Sequence, residues 1–204
     1  MHSQLPLLLT TFSLFLHHTL SIPTTTPFDF IRSSCNATLY PDICYTSLSG
    51  YANAIRLDPA QLARISIGVT LARARHTTTF FTNMTQRADY GPDPREASAL
   101  HDCTSTFGDA VKQMHDSLRE MSQLASAAGI GNSYNTKSVI MFQVSNVQTW
   151  MSAALTNEDT CTDGFQDVAA CPVKDAVLEK VVMVKEYTSN ALALVNSFAA
   201  SVNS

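Results

Sequence analysis

Hydrophobic positions recur at intervals of three and four along four long segments of the chain, between residues 62 and 198. In the first two segments they are Leu62, Ile65, Val69, Ala72, His76, Phe80 and Asn83 or Met84, then Leu100, Cys103, Phe107, Ala110, Met114, Leu118 and Met121. In the last two they are Ile140, Val144, Val147, Met151 and Ala154, then Val177, Val181, Val184, Thr188, Ala191 or Leu192, Val195 and Phe198. A period near 3.5 over several heptads predicts a left-handed bundle of four near-antiparallel helices.

The boundaries between these segments carry the signals of helix starts and short connections. Asp58-Pro59 and Asp93-Pro94 each predict an N-cap followed by proline at the first helical position. The predicted linkers are residues 85–91, 129–134 and 163–170. Linkers of this length join antiparallel neighbours, so we expect one all-α, up-down four-helix domain over residues 30–204.

The start of the chain has the form of a secretory signal peptide. Residues 5–20 hold no Asp, Glu, Lys or Arg, and small residues follow them. A membrane anchor is the alternative, but Pro6 and two histidines interrupt a stretch that is short for a span. We therefore predict a signal peptide at residues 1–21, cleaved after Ser21, and a flexible lead-in at 22–29. The mature protein is predicted to be extracellular.

Composition narrows the range of partners. The chain holds 13 Lys and Arg, 17 Asp and Glu, and a net charge of −4. Nucleic acid and anionic membranes are bound by concentrated basic surfaces, so neither is an expected partner. Only 7 Gly occur in 204 residues, which favours long uninterrupted helices.

The five cysteines follow the predicted signal peptide and predict disulfides in an oxidising compartment. Cys35 and Cys44 flank the Tyr40-Pro41 break, which suits a disulfide-linked helical hairpin. If the second and third long helices are antiparallel, the start of one meets the end of the other. Pairing of Cys103 with Cys161 is then favoured over pairing of Cys103 with Cys171. Cys171 is the expected odd thiol, either buried and inert or paired between chains.

Catalytic and metal-binding arrangements are weak in this sequence. In His101-Asp102-Cys103, adjacent helical residues point in different directions, and a disulfide sulfur is no nucleophile. Neither the cysteine spacings nor His76, His101 and His115 give a zinc pattern, so no metal or other cofactor is expected. We expect His76 at a helix edge with its ring partly buried. A hydrolase and a bundle that binds a small apolar ligand remain remote alternatives.

Two triplets fit the acceptor pattern for N-glycosylation. They begin at Asn36 (Asn-Ala-Thr) and at Asn83 (Asn-Met-Thr). In a secreted chain both asparagines are candidate attachment sites, and crowding in the cysteine hairpin disfavours Asn36.

Three separated motifs resemble the plant invertase and pectin methylesterase inhibitors. They are Cys35-Asn-Ala-Thr-Leu-Tyr-Pro-Asp-Ile-Cys44, Ala99-Leu-His-Asp-Cys103 and the segment from Val147 to Phe165. The resemblance extends over roughly Phe30 to Val202. It implies a four-helix bundle with an N-terminal hairpin, and disulfides between the first and second and between the third and fourth cysteines.

The resemblance also implies a function. The segment Thr188-Ser-Asn-Ala-Leu-Ala-Leu-Val-Asn196 is similar to the pectin methylesterase branch, so we expect a non-enzymatic inhibitor that covers the esterase's cleft in a non-covalent 1:1 complex. It would be monomeric when free and located in the apoplast and cell wall. Inhibition of acid invertase, in the cell wall or the vacuole, is the alternative.

The resemblance also implies which residues contact the target enzyme. Asp109, Thr160 and Asp163 match family positions that contact the enzyme. Ser105 and Lys112 depart from positions that are often acidic. The family's target works with aspartates in its cleft, so inhibitor carboxylates near them imply tighter binding at acidic pH.

Overall fold

The computed structural model describes residues 25–88, 93–127 and 134–203, and the predicted signal peptide lies outside them. In chain order the helices are α1 (Pro27–Cys35), α2 (Pro41–Leu48), a short 3₁₀ turn (Ser49–Tyr51), α3 (Ala52–Ile55), α4 (Pro59–Ala88), α5 (Pro94–Ala127), α6 (Tyr134–Gly164) and α7 (Pro172–Asn203). The described part of the chain contains no strand, and none of its helices is both long and apolar enough to cross a membrane.

The four long helices form a ring in which α4 packs on α5, α5 on α6, α6 on α7, and α7 on α4. The two helices of each packed pair run antiparallel. For example, the Thr85 hydroxyl near the end of α4 lies 3.0 Å from the Thr104 hydroxyl near the start of α5. At the opposite end of the bundle, Lys137 of α6 donates to the carbonyl of Asn203 of α7 at 3.2 Å. The predicted all-α up-down bundle is confirmed.

Both predicted N-caps are present. The Asp58 carboxylate accepts the backbone N–H of Ala60 at 2.8 Å, and Asp93 accepts that of Arg95 at 2.9 Å. Each bond satisfies an N–H that has no partner within its own helix. Each proline occupies the first helical position, where a backbone N–H would have no helical partner in any case.

The main core lies along the bundle axis. Phe81 and Phe107 meet edge to face with ring centroids 4.8 Å apart. The predicted stripes of α5, α6 and α7 face this core, with most of their members buried. Their heptad pattern therefore identified the correct faces.

The predicted stripe of α4 is only partly correct. The residues that α4 buries in the main core include Ala63, Ile67, Leu71, Ala74 and Phe81. The predicted positions Leu62, Ile65 and Val69 instead pack under the N-terminal hairpin, while Ala72 and His76 lie beyond it and are exposed. The expectation of a partly buried His76 ring is wrong, because α4 buries two different faces along its length.

The N-terminal hairpin has a core of its own. The disulfide between Cys35 and Cys44, with Cα atoms 5.5 Å apart, links α1 to α2. Around it, Ile31, Leu48 and Ile55 pack against α4 and α7. The predicted disulfide-linked hairpin is therefore a second small layer on the outside of the bundle.

The turn between α3 and α4 contains a strained residue. Arg56 has φ 56° and ψ −122°, and the N–H of Asp58 donates to the carbonyl of Ile55 at 3.2 Å. These are the features of a type II′ turn, which favours glycine at the Arg56 position.

We predict that Arg56→Gly raises the free energy of unfolding by about 1 kcal/mol, since it removes steric strain at this φ. The thermal midpoint should then rise by roughly 2–4 °C. Arg56→Ala keeps Cβ and should give no gain, so equal stabilisation by the two variants would contradict the strain argument.

Candidate functional site

The candidate site is the outer face of the α5–α6 pair, called here the α5–α6 face and defined by Asp109, Gln113, Asn157, Thr160 and Asp163. Beneath it, a buried disulfide between Cys103 and Cys161 joins the start of α5 to the end of α6, with Cα atoms 4.4 Å apart. A covalent link at this end, together with the packed helices, makes the face rigid.

A cross-helix hydrogen bond joins the two helices diagonally across the face. The Asn157 side chain of α6 donates to the side-chain oxygen of Gln113 of α5 at 3.1 Å. Asp109 lies one turn before Gln113, and Thr160 lies one turn after Asn157. Because the helices are antiparallel, both steps run in the same direction, toward the disulfide. Asp109 lies six residues from Cys103 and Thr160 one residue from Cys161, so the two are staggered by five residues, about 8 Å along the bundle axis, on neighbouring helices, and both are exposed.

Thr160 and Asp163 are held locally by their own helix end. The Thr160 hydroxyl donates to the carbonyl of Thr156 at 2.9 Å. The Asp163 carboxylate accepts the side-chain N–H of Gln166 at 3.0 Å. Asp163 is exposed and lies one turn beyond Thr160, so the face continues toward the α6–α7 connection.

A groove of about 540 Å³ adjoins that end of the face. It is lined by Arg95, Ser98, Ala99, Asp102, Gly164, Asp167 and Val168. Two carboxylates and one guanidinium line it, so this end of the α5–α6 face has an acidic edge.

Behind the face, Glu158 is fully buried in the bundle core, with 0% of its surface exposed. One carboxyl oxygen accepts the hydroxyl of Thr188 of α7 at 2.7 Å, and the other oxygen has no partner within the described residues. Burial raises the pKa of the Glu158 carboxyl to about 8, and Asp159 adds to this, against the opposing effects of Thr188 and Lys185. Glu158 is therefore uncharged in acidic surroundings.

The segment from Thr188 to Asn196 serves internal contacts. Its Thr188 hydroxyl reaches Glu158, while Asn190, 3% exposed, accepts the Tyr40 N–H at 3.1 Å and donates to the Tyr40 carbonyl at 2.9 Å. Asn196 accepts the side-chain N–H of Gln148 at 2.8 Å. This segment thus ties α7 to α6 and to the hairpin.

Sequence reasoning missed Glu158 and Asn190. For Glu158 a signal exists, because it lies four residues after Ala154 and three before Cys161, on the predicted apolar face. For Asn190 there is no comparable signal, since its partner is the backbone of a residue 150 positions away.

Cys171 is a free, half-buried thiol at the start of α7. Its sulfur lies 3.4 Å from a carboxylate oxygen of Glu96 and accepts the backbone N–H of Lys174 at 3.4 Å. In the structure Cys171 is thus not part of either disulfide.

The other candidate residues lie on the surface. His76, His101 and His115 are all exposed, and no group of three or more potential metal ligands occurs in the described ranges. Asn36 and Asn83 are exposed as well, so their glycosylation stays a prediction.

These features define a disulfide-bridged four-helix bundle that carries an N-terminal hairpin. The sequence model described as plant invertase/pectin methylesterase inhibitor matches residues 29–194. The chain belongs to the plant invertase/pectin methylesterase inhibitor family.

Similar proteins support this assignment. Pectinesterase inhibitor 11 of Arabidopsis thaliana is 40% identical, covering 84% of this chain and 81% of that protein. The 21 kDa protein of Daucus carota is 41% identical, covering 84% of each. Pectinesterase inhibitor 10 of Arabidopsis thaliana is 42% identical over 86% of this chain, which spans about half (53%) of that longer protein.

Solved structures agree with the fold. A mutant form of a pectin methylesterase inhibitor from Arabidopsis superposes with a TM-score of 0.60 at 21% identity, covering 79% of this chain and 92% of that one. At this identity the likeness establishes the fold alone.

Proposed function

We propose that this protein inhibits pectin methylesterase, without catalysis of its own, by covering the esterase's substrate cleft with the α5–α6 face. The observation that carries the proposal is the family assignment, together with relatives at 40% identity or more that are named pectinesterase inhibitors. The resemblance in motif assigns Asp109, Thr160 and Asp163 as contacts.

The geometry of the face supports this use. Asp109 and Thr160 lie on two neighbouring helices that a disulfide and a cross-helix hydrogen bond hold together. A face that is ordered before binding loses little conformational entropy in the complex. A standard interface buries roughly 800 Å² on each partner, which is enough to close a polysaccharide groove.

The proposal places the protein in the cell wall, as a monomer that forms a 1:1 complex. Two disulfides persist best in an oxidising compartment, and the predicted signal at residues 1–21 leads there. The carboxylates of Asp109 and Asp163 repel the aspartates expected in the esterase cleft when both sides are ionised. Binding is therefore expected to strengthen as the wall becomes acidic.

The function is tested by mixing the purified protein with a plant pectin methylesterase, and separately with an acid invertase, at about pH 5.5. Residual activity is measured as the inhibitor concentration rises. Loss of esterase activity alone supports the proposal. Loss of invertase activity alone would show that the protein belongs to the invertase-inhibiting branch. If neither enzyme lost activity, the proposed inhibitor function would be rejected.

We predict that Thr160→Trp weakens inhibition of the esterase by at least about tenfold, because a large side chain holds the rigid face away from the cleft. Thr46→Trp is the matched control. Thr46 is also an exposed helical threonine whose hydroxyl donates to the carbonyl four residues before it, at 2.7 Å, but it lies on the hairpin. Equal effects of the two variants in an inhibition titration would show that the α5–α6 face is not the contact surface.

A further inference from the structure

Helix α4 has an unusual charge composition for a chain with a net charge of −4. It carries Arg64, Arg73, Arg75 and Arg87, and it has no Asp or Glu over its 30 residues. Arg64 and Arg75 are eleven residues apart, which is close to three turns, so they lie on the same side of α4. A positive charge is therefore concentrated along one helix of an acidic protein.

The packing of α4 on α5 shows which α5 residues lie beside these arginines. Gly68 of α4 faces the Leu118 side chain, since a Cβ on Gly68 would lie 3.9 Å from it, and Thr85 meets Thr104. This antiparallel register puts Arg75 at the level of Lys112. Arg119, one heptad beyond Lys112 on α5, comes close to the level of Gly68, about one turn from Arg64.

The four cations Arg64, Arg75, Lys112 and Arg119 form what we call the basic face. One carboxylate interrupts it. Asp116 accepts Lys112 at 3.2 Å and Arg119 at 3.3 Å, and His115 lies 3.7 Å from it. The hydrogen bond from Lys112 lowers the pKa of the Asp116 carboxyl, so this group stays ionised in acidic surroundings. Four cations and one anion still leave the basic face with an excess of three positive charges.

A shallow groove of about 250 Å³ runs along the same side of the bundle. It is lined by Tyr51, Arg64, Ile65, Gly68, Val69, Ala72 and Leu118. Tyr51 is 48% exposed and Arg64 is the charged residue of the lining, while the other lining residues are apolar. An aromatic face, an apolar floor and a cationic rim suit a sugar ring that bears a carboxylate.

We propose that the basic face and its groove bind de-esterified pectin, a polymer of sugar acids with free carboxylates. The choice of occupant rests on the proposed function, because the free carboxylates are the product of the enzyme that this protein is proposed to inhibit. Arginine pairs with carboxylates through two parallel hydrogen bonds, whereas a methyl ester carries no charge to attract it. Arg64 and Arg75 lie on α4, which is not part of the α5–α6 face, so the inhibitor is held in regions where its target has already acted.

The proposal is tested on the free protein, with no esterase present, so that it succeeds or fails independently of inhibition. Mobility is measured in native gels cast with polygalacturonate or with fully methyl-esterified pectin. We expect retardation by polygalacturonate only, and a decrease in that retardation as salt rises from about 20 to about 300 mM, because the contacts are ionic.

The double variant Arg64→Gln with Arg75→Gln is expected to bind polygalacturonate about tenfold more weakly than the natural protein. Lys137→Gln with Lys180→Gln removes the same charge from α6 and α7, outside the basic face, and should change binding little. Tyr51→Ala should weaken binding, while Tyr51→Phe should retain it. Absence of binding, equal binding to the esterified polymer, or equal loss in both double variants would each overturn the proposal.

Discussion

Glu158→Gln is expected to remove most of the pH dependence of stability between about pH 5 and pH 8. In the natural protein this carboxyl is buried in the bundle core, and among the residues that the structure describes only Thr188 gives it a hydrogen bond. The charged groups whose fields reach it are Lys185 of α7, which favours ionisation, and Asp159 of α6, which opposes it. The side chains that α4 and α5 bury in the described core are uncharged.

The direction of the effect follows from the two pKa values. Burial raises the pKa of Glu158 from 4.5 to about 8 in the folded state. Between these values the folded chain holds a proton that the unfolded chain has lost, so stability falls as pH rises. The stabilising effect of that proton is fully present below pH 4.5 and is lost as pH rises through about 8. The decrease amounts to roughly 3–4 kcal/mol across this window.

Glutamine has the same shape as the protonated carboxyl and accepts the same Thr188 hydroxyl, but it does not titrate. Denaturant unfolding at several pH values measures the free energy of unfolding. That of Glu158→Gln should be higher than that of the natural protein by roughly 3–4 kcal/mol at pH 8 and similar to it near pH 5. Glu179→Gln, at an exposed position of α7, should show the same dependence of stability on pH as the natural protein. Parallel profiles for the natural protein and Glu158→Gln would show that Glu158 does not carry the effect.

The sequence predicted the fold well where one helix has one buried face. The stripes of α5, α6 and α7 were correct because each of these helices buries one continuous stripe, which a heptad pattern describes fully. Helix α4 buries two stripes, one toward the main core and one under the hairpin. Periodicity found the second of these, and continuing it through Ala72 and His76 gave positions that are exposed.

The candidate site was less accessible to sequence reasoning. The motif resemblance pointed to Asp109 and Thr160, but only the packing of α5 on α6, held by the Cys103–Cys161 disulfide and the Gln113–Asn157 hydrogen bond, shows how they are placed relative to each other. Such a register depends on packing between helices, which periodicity within one helix does not contain. The basic face has the same origin, because Arg75 and Lys112 are neighbours only through the α4–α5 register.

Asn190→Ala is expected to lower the free energy of unfolding by about 2–4 kcal/mol, since it removes two hydrogen bonds at once. Asn190 accepts the Tyr40 N–H and donates to the Tyr40 carbonyl, so it acts on the backbone between α1 and α2. Alanine fills neither role and leaves both Tyr40 groups without their partner. Thermal unfolding measures the loss, and amide exchange should increase in α1 and α2 before it increases in α4–α7.

Asn196→Ala is the matched control, because Asn196 lies on the same helix and also bonds across an interface, to Gln148, but is exposed to solvent. Water replaces a partner there, so the loss should stay below about 1 kcal/mol. Asn190→Asp separates the two bonds, since aspartate accepts the Tyr40 N–H but cannot donate to the carbonyl when it is ionised. Asn190→Asp should therefore also lower the free energy of unfolding, and amide exchange in the hairpin should again increase. If Asn190→Ala and Asn196→Ala lost equal stability, the bridge to Tyr40 would not be what holds the hairpin on the bundle.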